Sequence, residues 1–273
     1  MENKSVKNYP EFKTVVGNSD FPDVTRKHLK NIFEKELASL SKNKPLSILD
    51  VGPSDGEMSL PIIEWLQTKF VNVNYLGLEP EKEAFDKLIR KIRRKKTKNL
   101  VVQNIMLEAY LQMVRHEKEL FDVILFSQVF YYFPREIWDK IISDSIRLLK
   151  KAGLIIIVVD SYKGKVWKMR NTITKGKIDT LEFGYLHFAE AIEEFLSSKD
   201  IKYTVEKFPV HIYIQDNELT LFNFARTLAF IFRTFPEKIL ASHKKDLQKF
   251  LKKIKVGKRY ELEDLAKVIT FKK

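Results

Sequence analysis

Ile48-Leu49-Asp50-Val51-Gly52-Pro53-Ser54-Asp55-Gly56-Glu57 decides how this chain is read. An apolar run ends in a glycine turn, and a segment of helical period follows, with Leu60, Ile63 and Leu66 on one face. The pattern is strand, tight turn, helix. Gly lacks a Cβ, so Gly52 and Gly56 allow close approach to the backbone. Outward from here the alternation repeats. Strands are expected at Leu46–Val51, Asn74–Glu79, Asn99–Asn104, Phe121–Ser127 and Leu154–Asp160. Helices are expected at Glu57–Lys69, Glu81–Arg94, Leu107–Lys118 and Arg135–Lys150, with Gly153 as the stop of the last.

Such alternation gives an α/β, Rossmann-like, doubly wound and mostly parallel sheet with right-handed crossovers, here of seven strands. The tail differs. It reads as a helix at Phe188–Ser198, extended chain at Lys202–Ile214, helices at Leu219–Arg233 and Glu237–Lys253, and a last strand at Leu265–Phe271. One domain over 1–273 is expected. Residues 1–44 form a helical cover and 45–160 the ligand-binding core. Residues 161–273 form the substrate side, with a helical insertion over the mouth of the cleft.

Of the 273 residues, 44% are hydrophobic and 31% charged, which suits a globular protein with a real core. There is no cysteine, which excludes disulfides, thiolate metal sites and a cysteine nucleophile. His28, His116, His187, His211 and His243 lie far apart, so no metal is expected. No apolar run approaches the roughly eighteen residues that span a bilayer. Met1 to Lys13 is too polar for a secretory signal, and a cytoplasmic location is expected. The net charge of +13 leaves nucleic acid open as a partner. The lysines are nevertheless spread along the chain. The one dense cluster, Arg90 to Lys98, ends an expected helix, where cations oppose the dipole.

Doubly wound sheets bind ligands at the carboxyl ends of their strands, beside the switch in strand order. The ends near Gly52, Glu79 and Ser127 are therefore the candidate site. A dinucleotide fingerprint wants glycine where Ser54 and Glu57 stand. The Glu57 carboxylate would also repel phosphates at the helix start. A phosphate-free ligand with a cationic end suits the loop better. S-adenosyl-L-methionine, with its sulfonium and ammonium, has both traits. Glu79, followed by Pro80, stands 23 residues after Gly56, a spacing at which an acid accepts ribose hydroxyls. The competing reading makes Glu79 a cap-like acid on the helix from Glu81. In Phe126-Ser127-Gln128-Val129-Phe130-Tyr131-Tyr132-Phe133-Pro134, Ser127 and Gln128 offer polar contacts. Phe130 and Phe133 read as core. One of Tyr131 and Tyr132 presents an aromatic face to a cation or planar group.

The segments Ile48 to Glu57, Tyr75 to Glu81 and Phe121 to Phe133 resemble the successive motifs of class I methyltransferases. Within that class the chain is similar to the histamine N-methyltransferases. Gln128-Val129-Phe130-Tyr131-Tyr132 looks like their Gln-x-x-Tyr-Tyr segment. Ile155 to Val159 followed by Val166-Trp167-Lys168 looks like their fifth strand and the Leu-Trp-Lys after it. The resemblance implies that Gly52, Ser54, Gly56, Glu57, Glu79, Pro80 and Ser127 line the cofactor. It implies Gln128, Tyr131 and Tyr132 at the reacting centre, with Trp167 and Tyr132 beside the substrate. By the runs Phe12 to Phe21 and Tyr260 to Phe271, Asp20 and Asp264 fall where that family holds the amine. The chain departs from the pattern in its Gly-Pro-Ser-Asp-Gly loop, and at Ala84, where the family offers an amide to the adenosine.

Methyl transfer is an in-line displacement with a neutral thioether as leaving group. Positioning carries most of the catalysis, and no obligatory base with a strongly shifted pKa is expected. A small-molecule N-methyltransferase acting on an amine or imidazole is the first expectation. An enzyme acting on RNA or a protein side chain is the alternative. A non-enzymatic binding protein that kept the fold is opposed by the intact Gly52, Gly56 and Glu79.

Overall fold

The computed structural model describes residues 18–95, 99–174, 188–232 and 234–273. Helix α1 (Phe21–Glu36) precedes an alternating core. In that core β1 (Leu46–Val51), α2 (Ser59–Gln67), β2 (Val73–Leu78), α3 (Lys82–Lys95), β3 (Leu100–Gln103), α4 (Leu107–Met113), β4 (Phe121–Ser127), α5 (Trp138–Leu148) and β5 (Leu149–Asp160) follow one another. Next come α6 (Lys165–Thr174), α7 (Ala189–Ser198), β6 (Thr204–Gln215), α8 (Thr220–Phe232), α9 (Pro236–Leu251), β7 (Lys255–Val256) and β8 (Arg259–Lys272). The strands form one sheet in the order β3-β2-β1-β4-β5-β8-β6, and the short β7 pairs antiparallel with β8. The seven expected strands are the seven on this path.

β1 pairs in parallel with β2 on one side and with β4 on the other. The chain thus winds outward to β3, returns, and winds the other way through β4 and β5. The reversal between β1 and β4 is the switch point at which such sheets take ligands. β1, β4 and the Leu154–Val159 part of β5 are nearly continuous apolar runs because both of their faces are covered.

The chain forms two compact units. The first holds the described residues among 25–159, 193–206 and 268–273, and so contains β1 to β4 and nearly all of β5. The second holds those among 18–24, 160–192 and 207–267. Its core joins Val166 and Met169 of α6 to Phe224 and Leu228 of α8, Leu247 and Leu251 of α9, and Leu262 of β8.

Gly153 does not stop a helix. The helix ends at Leu148, and Leu149 already pairs with Phe121. The register then jumps to Val123 opposite Leu154, leaving Lys150 to Gly153 as a bulge in β5. Ala152 has φ 61°, and a Cβ on Gly153 would lie 2.9 Å from the Lys150 carbonyl. Lys150 Nζ donates to Asp122 Oδ2 at 2.7 Å, which pins the bulge to β4. The expected helix over Arg135–Lys150 opens as a 3-10 turn, Arg135–Ile137. The one expected over Leu107–Lys118 closes at Met113. The last strand begins earlier than expected, at Arg259, because Gly257 (φ 60°) turns β7 back onto β8. Of the expected N-terminal cover, residues 1–17 lie outside the described residues, as do 96–98 of the basic cluster.

Candidate functional site

The loop after β1 is folded against the carboxylate of Glu79. Gly52 (φ 68°) turns the chain sharply, and its N–H donates to the Leu78 carbonyl at 2.9 Å. A Cβ there would stand 2.9 Å from Val129 Cγ2, so the close approach of the loop after β4 requires glycine. Ser54 (φ 53°) donates its N–H to Glu79 Oε2 at 2.8 Å, and Glu81 donates to Oε1 at 2.9 Å. Glu79 therefore ties the glycine loop to the start of α3. The cap-like bond at Glu81 coexists with the bond to the loop. Burial pushes the Glu79 carboxyl above its usual range, against the pull of these two amides.

Two further loop amides are also spent internally. Gly56 (φ 78°) donates to the Pro53 carbonyl at 3.0 Å, and Glu57 to Asp55 Oδ1 at 3.3 Å. A phosphate nest needs successive N–H groups aimed at the ligand. Here those of Gly52, Ser54, Gly56 and Glu57 point to protein acceptors. Glu57 lies in a turn rather than in the helix, because α2 begins only at Ser59. Its side chain is exposed, and its carbonyl accepts from Arg26 Nη1 at 3.0 Å.

Beneath the loop lies Asp50, 1% exposed. Tyr75 Oη donates to its Oδ2 at 2.9 Å. Burial pushes its carboxyl up to about 6, opposed by the Ser59 and Tyr75 hydroxyls. Sequence reading missed this pair, and it missed Asn104. The Asn104 side-chain amide donates to the carbonyls of Glu79 at 2.8 Å and Pro80 at 3.0 Å, which fixes the turn after β2. No spacing signal marks a lone Asn after an edge strand.

At the end of β4, Ser127 is half-buried and pairs with Val158. Gln128 adopts φ 55° and donates its N–H to the Val158 carbonyl at 2.9 Å. A non-glycine residue in the left-handed region costs of order 1 kcal/mol, and the surroundings must impose it. They do so through an aromatic cluster. Phe130 packs edge-on against Phe126, Phe133 and Trp138, with centroids 5.2 to 5.6 Å apart. Trp138 Nε1 closes the turn by donating to the Phe133 carbonyl at 3.1 Å. Phe130 and Phe133 are core, as expected. Tyr131 is buried too, while Tyr132 is 52% exposed.

The remaining expected site residues, Asp20, Trp167 and Asp264, belong to the second unit. Trp167 packs against Phe188 with centroids 4.7 Å apart. Asp264 accepts the N–H groups of Val166 and Leu265 and so caps the start of α6. Gly164 makes room for it, since a Cβ there would lie 1.7 Å from Asp264 Oδ1. Burial, and next the Asp160 carboxylate, push Asp264 well above the usual carboxylate range. Asp20 accepts the His211 N–H at 2.6 Å, His211 Nδ1 at 2.9 Å and Tyr213 Oη at 3.1 Å. No sequence signal joins Asp20 to His211, which stands 191 residues away.

This arrangement has counterparts among known proteins. A family described as a methyltransferase domain matches residues 25–208. The chain belongs to that family. No curated protein matches the sequence of this methyltransferase. Among solved structures it is similar to the YcgJ protein of Bacillus subtilis, at 14% identity and TM-score 0.56, covering 89% of this chain and 98% of that one. A SAM-dependent methyltransferase of Archaeoglobus fulgidus aligns at 13% identity and TM-score 0.50, over 91% and 94% of the two chains. The plantazolicin methyltransferase BpumL, solved in complex with SAH, aligns at 14% identity and TM-score 0.51, over 97% and 91%. At such identities these likenesses speak for the fold of the methyltransferase.

Proposed function

We propose that this methyltransferase uses S-adenosyl-L-methionine to methylate a nitrogen of a small amine- or imidazole-containing molecule. The observation that carries the cofactor reading is the loop after β1. The amides of Gly52, Ser54, Gly56 and Glu57 are spent on protein acceptors, one of them the buried Glu79 carboxylate, which leaves a poor nest for a pyrophosphate. Asp50, Glu57, Glu79 and Glu81 make the surroundings hostile to phosphate and receptive to a cationic nucleoside. The glycine bend at Gly52 and the acid at Glu79 thus fit the group. BpumL, similarly folded, was solved with SAH.

In this reading Gly52, Ser54, Gly56, Glu57, Pro80 and Ser127 line the cofactor. Glu79 accepts its ribose hydroxyls with lone pairs beyond those that hold Ser54 and Glu81. When bound, the cofactor supplies an electrophilic methyl group on a sulfonium. Gln128, held in the left-handed region, presents its amide to the acceptor, with Tyr131 and Tyr132 in the same loop. Trp167 and Asp20 are assigned to the acceptor by the resemblance of the sequence alone. Asp264 has the same assignment by sequence, but its cap on α6 and its raised pKa make it the weaker counter-ion.

The macromolecular alternative draws on the net charge. The lysines of α3 weaken it, for Lys82 pairs with Asp86, Lys87 with Glu83, Lys91 with Asp55 and Lys95 with Glu64. Among the described residues no helix is long and apolar enough to cross a membrane. Isothermal titration with S-adenosylhomocysteine tests the cofactor. Binding in the micromolar range is expected, and no heat would overturn the reading. Tritium transfer to histamine and related amines, compared with transfer to RNA, tests the acceptor.

A further inference from the structure

In the second unit, positive charge gathers at one end without partners. Residues 244–258 hold seven lysines and a single acid, Asp246. Among the described residues only Lys255 of the seven has an ion-pair partner, with its Nζ 2.6 Å from Asp216 Oδ2. Lys244, Lys245, Lys249, Lys252, Lys253 and Lys258 are exposed. In α3, by contrast, every lysine meets a carboxylate. Helical angles break at His243 (φ −133°), and a regular stretch follows to Lys252. Within it Lys245, Lys249 and Lys252 are spaced by four and three, which places them on one face. That face lies opposite Leu247 and Leu251, which are buried in the core of the unit.

Apolar side chains are exposed at the same end. Phe224 of α8 stacks on Phe250 of α9, with centroids 5.9 Å apart, so the start of α8 lies beside the end of α9. Asp216, just before α8, holds Lys255 and also accepts Tyr260 Oη at 3.0 Å, which brings the β7–β8 turn to that end. Leu219 is 59% exposed, Phe222 40% and Val256 53%. Arg226 lies over the Phe222 ring at 5.8 Å. A Cβ on Gly257 would meet nothing within 4 Å, so the turn that carries Val256 and Lys258 stands clear of its neighbours. Cations in a last helical turn ordinarily answer the helix dipole. That account covers Lys249. It leaves Lys244, Lys245 and Lys258, and the bare Leu219 and Val256, without a reason.

We propose that this end of the second unit, formed by the later half of α9, the β7–β8 turn and the start of α8, docks on an anionic lipid surface. The lysines meet the headgroup phosphates and carboxylates, and Leu219, Phe222 and Val256 enter the boundary between headgroups and acyl chains. A cluster of about four to eight basic residues is what such a surface attracts. The apolar stems of the lysines lie along the lipid while their ammonium groups stay in water. A polynucleotide fits this end less well. Leu219 and Val256 offer it nothing, and lysine lacks the planar fork with which arginine reads phosphates and bases. Among the described residues no helix is able to span a bilayer, so the attachment is peripheral, reversible and weakened by salt. It does not depend on which molecule accepts the methyl group.

Flotation of the full chain with lipid vesicles tests this. At about 0.1 M salt the protein is expected to float with vesicles of phosphatidylcholine and phosphatidylserine mixed about two to one, and to be released at about 0.5 M. It should stay behind with phosphatidylcholine alone. Failure to float with the mixed vesicles, or equal flotation with both kinds, would overturn the proposal. Lys245→Glu, Lys249→Glu and Lys252→Glu together should weaken binding at least tenfold, with the circular dichroism spectrum unchanged. The same reversal at Arg90, Arg93 and Arg94, exposed on α3, should leave binding within twofold. Equal losses would mean that net charge alone attracts the protein, and would overturn the proposal, as would an undiminished lysine variant. Leu219→Ser with Val256→Ser should weaken binding at least threefold at fixed salt, and no change would count against docking through this end. Polyuridylate is then added as a competitor. The vesicles should keep the protein, and its displacement would identify a nucleic-acid surface and overturn the lipid assignment.

Discussion

The backbone N–H of Ser54 donates to Glu79 Oε2 at 2.8 Å, so the bend after β1 is held by the tip of β2. One carboxylate gives the loop its shape and is the group proposed to accept a nucleoside's ribose hydroxyls. On that proposal, loop geometry and ligand affinity are coupled through Glu79.

Removing that carboxylate should be costly. Glu79→Ala is expected to weaken S-adenosylhomocysteine binding by about 1–3 kcal/mol, through lost bonds to a charged acceptor. Titration calorimetry reads this directly. Glu79→Gln, which can still accept from one amide, should fall between. An Ala variant with wild-type affinity would refute the ribose role.

Side chains at the two loop glycines should act differently. A Cβ at Gly52 meets Val129 Cγ2 at 2.9 Å, at φ 68°, so Gly52→Val is expected to abolish S-adenosylhomocysteine binding. A Cβ at Gly56 meets Leu88 Cδ1 at 2.5 Å and Leu60 Cγ at 3.0 Å, at φ 78°. Gly56→Ala should therefore lower folding stability by about 1–3 kcal/mol, measured by urea unfolding.

Asp50 should make stability depend on pH. Its folded pKa, about 6, exceeds the ordinary carboxylate value of 3.8. The folded state then binds more protons than the unfolded one between those values, and stability falls as pH rises through that window. Above about pH 6 the loss is complete, with a magnitude of about 2–3 kcal/mol from the size of the shift. Asp50→Asn removes the titration. Urea midpoints of wild type and variant should diverge in the variant's favour from pH 4 to pH 7, and parallel curves would speak against it.

Gln128 offers a trade between stability and activity. Its φ of 55° suits glycine, so Gln128→Gly should relieve of order 1 kcal/mol of backbone cost. The same change deletes the amide proposed to touch the acceptor. A thermal midpoint that holds or rises, with kcat/KM reduced at least tenfold, is the expected pair of results.

The core was legible because its signals are local. Apolar runs between glycine turns gave β1, β2 and β4 to within a residue, and Gly52, Gly56 and Glu79 fall at the switch between β1 and β4. One feature misled at β5, where Gly153 resembles the stop of a helix. Only pairing with β4 shows that Leu149 is already strand. What was not legible is tertiary. Asn104 holds carbonyls of another strand's turn, and Asp20 meets His211 across most of the chain. No periodicity encodes such meetings.

The boundaries between the two units fall within α1, at the carboxyl end of β5, and within α7, β6 and β8. The second unit is thus threaded from separate runs of chain, with the first supplying the stretches between them. Neither can be excised by a single cut or grafted whole onto another scaffold. Exchange of either unit as a ready-made module is closed off by this threading.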